Sequence, residues 1–263
     1  MRYQFLTLKL ELKCIAKLVH AFLSAPLFAF KTFLYRIWPG GYGYMRILRR
    51  EASNITLPFF DKPTGKVIRK FGYENYQQYK MHQAYKFNEI LHKHGGFSNL
   101  LIMRWRLIFF EHLQPLRKLL PTNAKILCVG ARQGTEVEVL RDLGFLNTAG
   151  CDLNPGPKNP YVVYGDFMDH IQHDASFDAI YTNAIDHALD LTLFFKEQAR
   201  ILKHNGYGVF DFAEFNIIGG PSDYEVQFWE YTDEPISVMS KYFPKIISDR
   251  VNGEWRTVIA QRN

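Results

Sequence analysis

Short apolar runs alternate with helical stretches from residue 124 onward, and this alternation constrains the fold more than any other feature of the chain. Helices are predicted over 133–143 and 184–202. A buried parallel sheet with helices on both faces is the structure that such an alternation favours. The predicted strands are 124–130, 148–152, 161–164, 177–181, 208–212, 246–249 and 257–261.

The last two predicted strands are joined differently from the others. They flank Asn252-Gly253, which is a strong signal for a tight antiparallel hairpin. The sequence therefore predicts an α/β fold with a seven-stranded, mostly parallel sheet that ends in an antiparallel hairpin.

Charge divides the chain into two regions. Residues 1–122 contain 20 Lys and Arg against 6 Asp and Glu, whereas residues 123–263 contain 12 against 20. The basic region suits an anionic partner such as a membrane surface, a phosphorylated substrate or a nucleic acid. Attraction between the two halves is the other interpretation of the same asymmetry.

The N-terminal region is predicted to be helical. Residues 1–44 have apolar residues at helical spacing with lysines on another side, which is typical of a basic amphipathic helix. Residues 13–38 of this helix could lie on a membrane surface, on their own domain or on a second subunit. The apolar segment 18–30 is too short to span a bilayer.

Residues 45–122 are predicted to form a helical lid region, with helices over 73–94 and 99–120. Helical spacing brings together several polar and aromatic side chains on the first of these helices. They either cover a ligand or belong to the core: Tyr76, Tyr79, His82, Gln83 and Lys86.

A glycine turn follows the first predicted strand. Gly130 and Gly134 bracket Ala131, Arg132 and Gln133, and a helix follows. A strand that leads into such a turn lets the backbone approach a ligand closely and exposes amide donors. The spacing of two glycines is weak evidence alone, so its value depends on the residues at the ends of the next strands.

Two acidic residues occur where the next two strands end. Asp152 lies 22 residues after Gly130, the position at which doubly wound folds bind a ribose diol. Asp166 follows the third strand, and with its neighbour Phe167 it suits the exocyclic amine and the face of an adenine. Helix capping is the structural alternative for each carboxylate.

Residues 124–261 resemble the class I S-adenosylmethionine-dependent methyltransferases, which have a Rossmann-like sheet that ends in such a hairpin. The segment Ile201-Leu202-Lys203-His204-Asn205-Gly206 resembles the family's turn before the fifth strand. The resemblance implies S-adenosyl-L-methionine as cofactor and residues 123–263 as its domain. It implies a cofactor-binding set of Gly130, Ala131, Arg132, Gly134, Glu136, Asp152, Leu153, Asp166, Phe167 and Asn183.

Two positions depart from the family's pattern. The family has an acidic residue where Cys128 stands and a glycine where Arg132 stands. A negative φ and an outward side chain at Arg132 would leave the turn unobstructed, and Glu136 could replace the missing carboxylate. A dehydrogenase is disfavoured because its pyrophosphate needs that glycine and would be repelled by Glu136.

The loop after the fourth strand faces the sulfonium in this family. His187 is the candidate general base there, because the pKa of an imidazole lies near working pH, and Asp186 could orient it. A divalent cation held by Asp186, His187 and Asp190, or simple helix capping, are the alternatives, and no metal is assigned.

The predicted activity is O-methylation of a small-molecule or glycan acceptor. A nucleic acid is disfavoured as acceptor because the fourth strand lacks the Asn/Asp-Pro-Pro-aromatic loop of base-methylating enzymes. A catalytically inactive membrane-surface or interaction module is the non-enzymatic alternative. Three cysteines without metal-ligand spacing favour a reducing, cytoplasmic location, with peripheral membrane attachment as an option.

Overall fold

The computed structural model describes residues 69–70, 73–94, 99–156, 160–215, 225–229 and 231–263. All of them belong to one compact unit, Leu57–Asn263. The predicted amphipathic helix over 1–44, with the proposed membrane-surface residues 13–38, lies outside the described residues. Within the described residues, no helix has the length and hydropathy needed to cross a membrane.

The described helices and strands follow the predicted alternation. The helices are α1 (Tyr76–His94), α2 (Asn99–Leu113), α3 (Thr135–Asp142), α4 (Leu191–Ile201) and α5 (Asp233–Met239), with 3₁₀ turns at Gln114–Lys118 and Ile185–His187. The strands are β1 (Arg69–Lys70), β2 (Ile126–Val129), β3 (Thr148–Asp152), β4 (Val162–Tyr164), β5 (Phe177–Thr182), β6 (Leu202–Ala213), β7 (Gln227–Phe228), β8 (Lys245–Asn252) and β9 (Trp255–Gln261).

Seven strands form one sheet in the order β4-β3-β2-β5-β6-β9-β8. The pairs from β4 to β6 are parallel, and β9 runs antiparallel to both β6 and β8. The predicted seven-stranded sheet with its terminal hairpin is therefore confirmed. Gly253 takes a positive φ of 58° in the hairpin turn, a conformation that glycine adopts readily.

Strand β2 shows why the sheet is buried on both faces. Leu127 and Val129 pack into a cluster with Phe194 and Phe195 of α4. Ile126 and Cys128 point the other way, into a cluster with residues of α2 and α3. A strand covered on both sides needs a continuous apolar run, and this explains the sequence of β2.

The predicted helix over 184–202 is shorter than expected. Its first part is a separate 3₁₀ turn, and α4 begins only at Leu191. Asp190 caps α4, because its Oδ1 accepts hydrogen bonds from the amides of Thr192 (2.8 Å) and Leu193 (3.1 Å). The predicted helix over 99–120 likewise ends at Leu113, and Pro115 lies in the following 3₁₀ turn.

A buried polar cluster ties α2 to the sheet. Asp211 of β6 accepts hydrogen bonds from the hydroxyls of Tyr181 and Thr257, each at 2.6 Å. His112 of α2 contacts the same carboxylate through Nδ1 at 2.7 Å. Because all four residues are buried, each polar group depends on the others for its hydrogen bonds.

We expect Tyr181→Phe to lower the free energy of unfolding by about 1–3 kcal/mol, since it removes a buried hydrogen bond to a carboxylate. Tyr164→Phe is the matched control, because Tyr164 is 62% exposed and should change stability by less than about 0.5 kcal/mol. Urea unfolding measures both variants. Equal midpoints for the two would contradict a stabilising role of the Asp211 cluster.

Candidate active site

A cavity of about 360 Å³ lies at the carboxyl ends of β2, β3 and β5. Polar residues of the loops after these strands line it, and α1 and α2 contribute further walls. Most residues of the predicted site line this cavity: Gly130, Ala131, Arg132, Glu136, Asp152, Leu153, Phe167, Asn183, Asp186 and His187. Gly134 and Asp166 are not part of its wall.

The glycine turn is packed tightly beneath the cavity. Gly130 has a φ of 73°, and a Cβ on it would lie 2.6 Å from the Cβ of Ala184. Gly134 has a φ of 68° and precedes α3. Both conformations favour glycine, so these two glycines shape the turn even though only Gly130 contacts the cavity.

Arg132 differs from expectation in two ways. Its φ is +36° rather than negative, and its side-chain Nε is buried rather than pointing outward, while the residue lines the cavity. Its amide donates to Asp152 Oδ2 (2.9 Å), and its carbonyl accepts from Gly156 (2.7 Å). These two hydrogen bonds hold a non-glycine residue in a conformation that normally costs about 1–3 kcal/mol.

Asp152 ends β3 with its carboxylate beneath the cavity. The residue is 7% exposed, and burial raises the pKa of the carboxyl above its usual value. Asn154 donates its amide to Oδ1 (2.7 Å), while Arg132 occupies Oδ2. A carboxylate oxygen accepts more than one hydrogen bond, so both oxygens can still bind ribose hydroxyls.

Asp166 is held by α1 instead of facing the cavity. Its Oδ2 accepts from the Tyr76 hydroxyl (2.5 Å), Lys80 lies 3.8 Å away, and its Oδ1 accepts from the Met168 amide (3.0 Å). Of the pair predicted for adenine, only Phe167 lines the cavity. An adenine amine would reach Asp166 only by replacing or joining Tyr76.

Glu136 is a buried acid in the first turn of α3. It is 4% exposed, and burial raises the pKa of its carboxyl to about 8. Its side chain lines the cavity and pairs with no other described side chain. Glu136 thus lies in the cavity wall, where it could replace the acidic residue that the family has at Cys128.

Helix α1 closes one side of the cavity. Tyr79, Gln83 and Lys86 line it, while Tyr76 stacks on Tyr79 with the ring centroids 5.2 Å apart. The remaining predicted lid residue, His82, hydrogen-bonds the Tyr73 hydroxyl through Nδ1 (2.7 Å). Of the predicted lid residues, Tyr79, Gln83 and Lys86 therefore line the cavity, whereas Tyr76 and His82 contact neighbouring tyrosines.

His187 lies opposite the glycine turn among charged groups. Its Nε2 is 3.1 Å from Lys86 Nζ and 3.9 Å from Asp186 Oδ1, so the lysine is within hydrogen-bond distance and the carboxylate is not. Burial and the charge of Glu225 raise the pKa of Asp186, whereas burial and Arg132 lower the pKa of Lys86. His187 therefore lies between a lysine and two acids.

The same cluster has the donor atoms of a cation site. One ligand atom each from Asp186, His187 and Glu225 lies within 4.8 Å of the others. Asp190, considered from sequence as a ligand, caps α4 instead. Lys86 lies against His187 and supplies a positive charge at this cluster.

Sequence reasoning missed one wall of the cavity. Its aromatic residues contact each other: Trp105 stacks on Phe109 with the ring centroids 5.4 Å apart and meets Trp255 edge to face at 5.8 Å. No local signal marks these residues, since aromatics on a helix such as α2 usually belong to the core. The other cavity residues that were missed are Ile102, Gln133, Thr135, Asn154, Ala184, Ala213, Phe215 and Glu225.

Comparison with known families identifies the domain. Residues 127–210 match the model of a family described as "Methyltransferase domain". Residues 127–210 thus form a methyltransferase domain, and their fold is consistent with that of the class I S-adenosylmethionine-dependent methyltransferases. A search of curated proteins gives no match.

Solved structures share the methyltransferase fold. One is the 1,6-didemethyltoxoflavin-N1-methyltransferase of Burkholderia thailandensis, with bound 1,6-didemethyltoxoflavin and S-adenosylhomocysteine. It is 14% identical at a TM-score of 0.53, and the match covers 78% of this chain and 99% of that one. A Pyrococcus horikoshii protein is 20% identical at a TM-score of 0.50, over 63% and 92% of the two chains.

S-adenosylmethionine is the cofactor of this methyltransferase domain, and the residues present fit it. Gly130 lines the cavity without a side chain, because a Cβ there would collide with Ala184, and Asp152 lines it with a carboxylate that a diol could bind. Glu136 is a buried acid without a side-chain partner, and the Arg132 Nε atom has no hydrogen-bond partner among the described residues. Polar groups suited to the ribose and to the amino-acid end of the cofactor therefore line one cavity.

We expect Asp152→Asn to weaken S-adenosylhomocysteine binding at least about 10-fold, since a charged acceptor for hydroxyls is lost. Asp174→Asn is the control, because Asp174 is exposed and is not part of the cavity wall. Isothermal titration measures both affinities. If the two variants bind equally well, Asp152 is not a cofactor ligand.

Proposed function

We propose that this methyltransferase methylates a hydroxyl oxygen of a small-molecule or glycan acceptor, with His187 as the general base. The observation that carries the proposal is the position of His187 in the wall of the cofactor cavity, on the loop after β5. A positioned imidazole is needed for a hydroxyl acceptor, which loses its proton as the methyl group is transferred. An acceptor amine that is already unprotonated has no such need.

Lys86 supports this role of His187. An ammonium 3.1 Å from Nε2 disfavours a positive charge on the ring, whereas Asp186 and Glu225 would favour it. The lysine therefore opposes the effect of the two acids on the ring. Asp186 Oδ1 lies 3.9 Å from Nε2, beyond hydrogen-bond distance, so this oxygen does not orient the ring directly.

Methylation of a hydroxyl moves one methyl group, one electron pair and one proton. The bound cofactor supplies a methyl group on a sulfonium, and the acceptor oxygen forms a bond to that carbon. The electron pair of the broken carbon–sulfur bond would remain on the cofactor's sulfur, and His187 would take the hydroxyl proton. The chain's main contributions are then alignment of the acceptor and exclusion of water.

The cavity favours a small acceptor. Its volume of about 360 Å³ has to hold a cofactor and the reacting end of the acceptor, and its outer wall includes Trp105, Phe109 and Trp255. Aromatic walls bind the flat face of a ring, including the apolar face of a sugar. A glycan would therefore enter by a terminal residue.

We expect His187→Gln to lower kcat at least about 100-fold, because general base catalysis typically contributes about 10²–10⁴-fold. S-adenosylhomocysteine affinity should stay within about twofold. The acceptor for this assay is found by mass spectrometry of cell extract incubated with the protein and isotopically labelled cofactor, which reveals the methylated molecule. His173→Gln is the control, since His173 lies outside the cavity.

Two results would contradict this proposal. A labelled product methylated on nitrogen or carbon would exclude O-methylation. Unchanged kcat in His187→Gln, with an oxygen-methylated product, would exclude His187 as the base and leave the reaction type intact.

Membrane attachment through residues 13–38 is a separate part of the proposal, supported by their basic amphipathic pattern. We expect the full chain to float with anionic liposomes, and a chain lacking residues 1–44 to remain at the bottom of the gradient. Raising the salt concentration should weaken flotation, because exposed charges are screened. Equal partitioning of the two chains would rule out this attachment.

A further inference from the structure

We infer that Gln227 is a positioning residue for His187. Its side-chain amide, together with the backbone amide of Val226, holds the short turn that carries the imidazole. The effect of this positioning on catalysis rests on the proposed function, in which His187 is the base. Its effect on the place of the His187 ring does not depend on that function.

The turn Ile185–His187 needs support from outside. It is a single 3₁₀ turn, in which the His187 amide donates to the Ala184 carbonyl (3.1 Å) and the Ala188 amide donates to the Ile185 carbonyl (3.0 Å). Hydrogen bonds of a 3₁₀ turn have poorer geometry than those of an α-helix. No side chain caps the turn at Ala184. A fixed orientation of His187 therefore requires contacts from another part of the chain.

The segment Val226–Gln227 supplies those contacts. The Val226 amide donates to the Asp186 carbonyl (2.8 Å). The Gln227 side chain donates through Nε2 to the Ala188 carbonyl (2.6 Å). The two accepting carbonyls belong to the residues directly before and after His187. The backbone is therefore held on both sides of the imidazole.

Neighbouring residues fix the backbone of this segment in turn. Strand β7 pairs with β1 in antiparallel orientation, with Gln227 opposite Lys70. Trp229 is buried, and its indole Nε1 donates to the Ala213 carbonyl at the end of β6 (2.9 Å). Gln227 is itself 1% exposed, so its side chain has little room to change conformation. The position of its amide therefore determines the position of the turn.

The amide of Gln227 costs free energy that an apolar side chain would not. Its Oε1 is buried and has no hydrogen-bond partner among the described residues. A buried carbonyl oxygen without a partner is destabilising, and a methionine of similar length would avoid this cost. The hydrogen bond from Nε2 to Ala188 is what the amide adds at this position. This bond acts on the turn of His187.

The place of the His187 ring decides which charges act on it. Its Nε2 lies 3.1 Å from Lys86 Nζ of α1 and 3.9 Å from Asp186 Oδ1. A carboxylate oxygen of Glu225, directly before the supporting segment, lies within 4.8 Å of a ring nitrogen. Interactions between charges at such distances depend strongly on separation inside a protein. Movement of the turn would therefore change both the charges that the ring faces and its alignment with an acceptor.

NMR of the full chain with isotope-labelled histidine tests the positioning without an acceptor. The His187 ring resonance is assigned from its absence in His187→Gln. We expect Gln227→Met to shift or broaden this resonance, because methionine has no amide donor for Ala188. Gln261→Met is the matched control and should leave it unchanged. Gln261 is also a buried glutamine on a strand, and its Nε2 donates to the Asn205 carbonyl (2.7 Å), away from the cavity.

Kinetics test the effect on catalysis. We expect Gln227→Met to lower kcat on the order of 10- to 100-fold, because a misplacement of about 1 Å can cost about 10²-fold. S-adenosylhomocysteine affinity should stay within about twofold of wild type, since the loss concerns the reaction step and not cofactor binding. Should Gln227→Met fail to fold, Gln227→Asn replaces it. Asparagine keeps an amide, but its shorter side chain does not reach the Ala188 carbonyl from the same backbone position.

An unchanged His187 resonance in a folded Gln227 variant would overturn the inference. Equal changes in the Gln227 and Gln261 variants would overturn it as well, because they would show a general effect of losing a buried amide. A changed resonance with unchanged kcat would support the positioning role and contradict His187 as the base. Failure of the inference and failure of the proposed function are therefore distinguishable.

Discussion

The two hydrogen bonds that Asp152 accepts from backbone amides hold the site together. They join the end of β3 to the turn after β2 and to its own following loop, through Arg132 and Asn154. The parallel register of β2 and β3 brings these ends to the same edge of the sheet. The position of this carboxylate in the cavity wall is therefore a consequence of the sheet itself.

Side chains from α1 and α2 line the cavity together with the loops at the edge of the sheet. Helix α2 is anchored by His112 on the buried Asp211 cluster, and this anchor holds Trp105 and Phe109 against the cavity. Helix α1 adds Lys86, which reaches His187 across the same space. Charge in the cavity is thus balanced between groups from the sheet loops and groups from the helices.

The sheet was predicted well from the sequence because the sequence signals for its strands and turns are local. Apolar runs, the turn glycines and Asn252-Gly253 each act within a few residues, and all seven strands of the main sheet were found. The short pair β1 and β7 and the helix α5 were missed, because two-residue strands and a seven-residue helix leave no periodic pattern. The start of α4 was wrong because a capping aspartate outweighed the continuous apolar spacing.

The cavity wall was predictable near strand ends and on the face of α1 that helical spacing defines. Asp152, Glu136 and His187 line the cavity as expected, but the Asp166 carboxylate is held by Tyr76, 90 residues away in the chain. Contacts of this kind depend on how α1 packs on the sheet, and no local sequence pattern predicts that packing. Glu225 and Trp255 were missed for the same reason.

We propose that the nucleoside of the cofactor binds at one edge of the sheet. A crystal structure of the complex with S-adenosylhomocysteine tests it most directly. The account predicts ribose hydroxyls within hydrogen-bond distance of Asp152 and the purine against Phe167. A ligand bound elsewhere on the protein, or a ribose that makes no contact with Asp152, would contradict it.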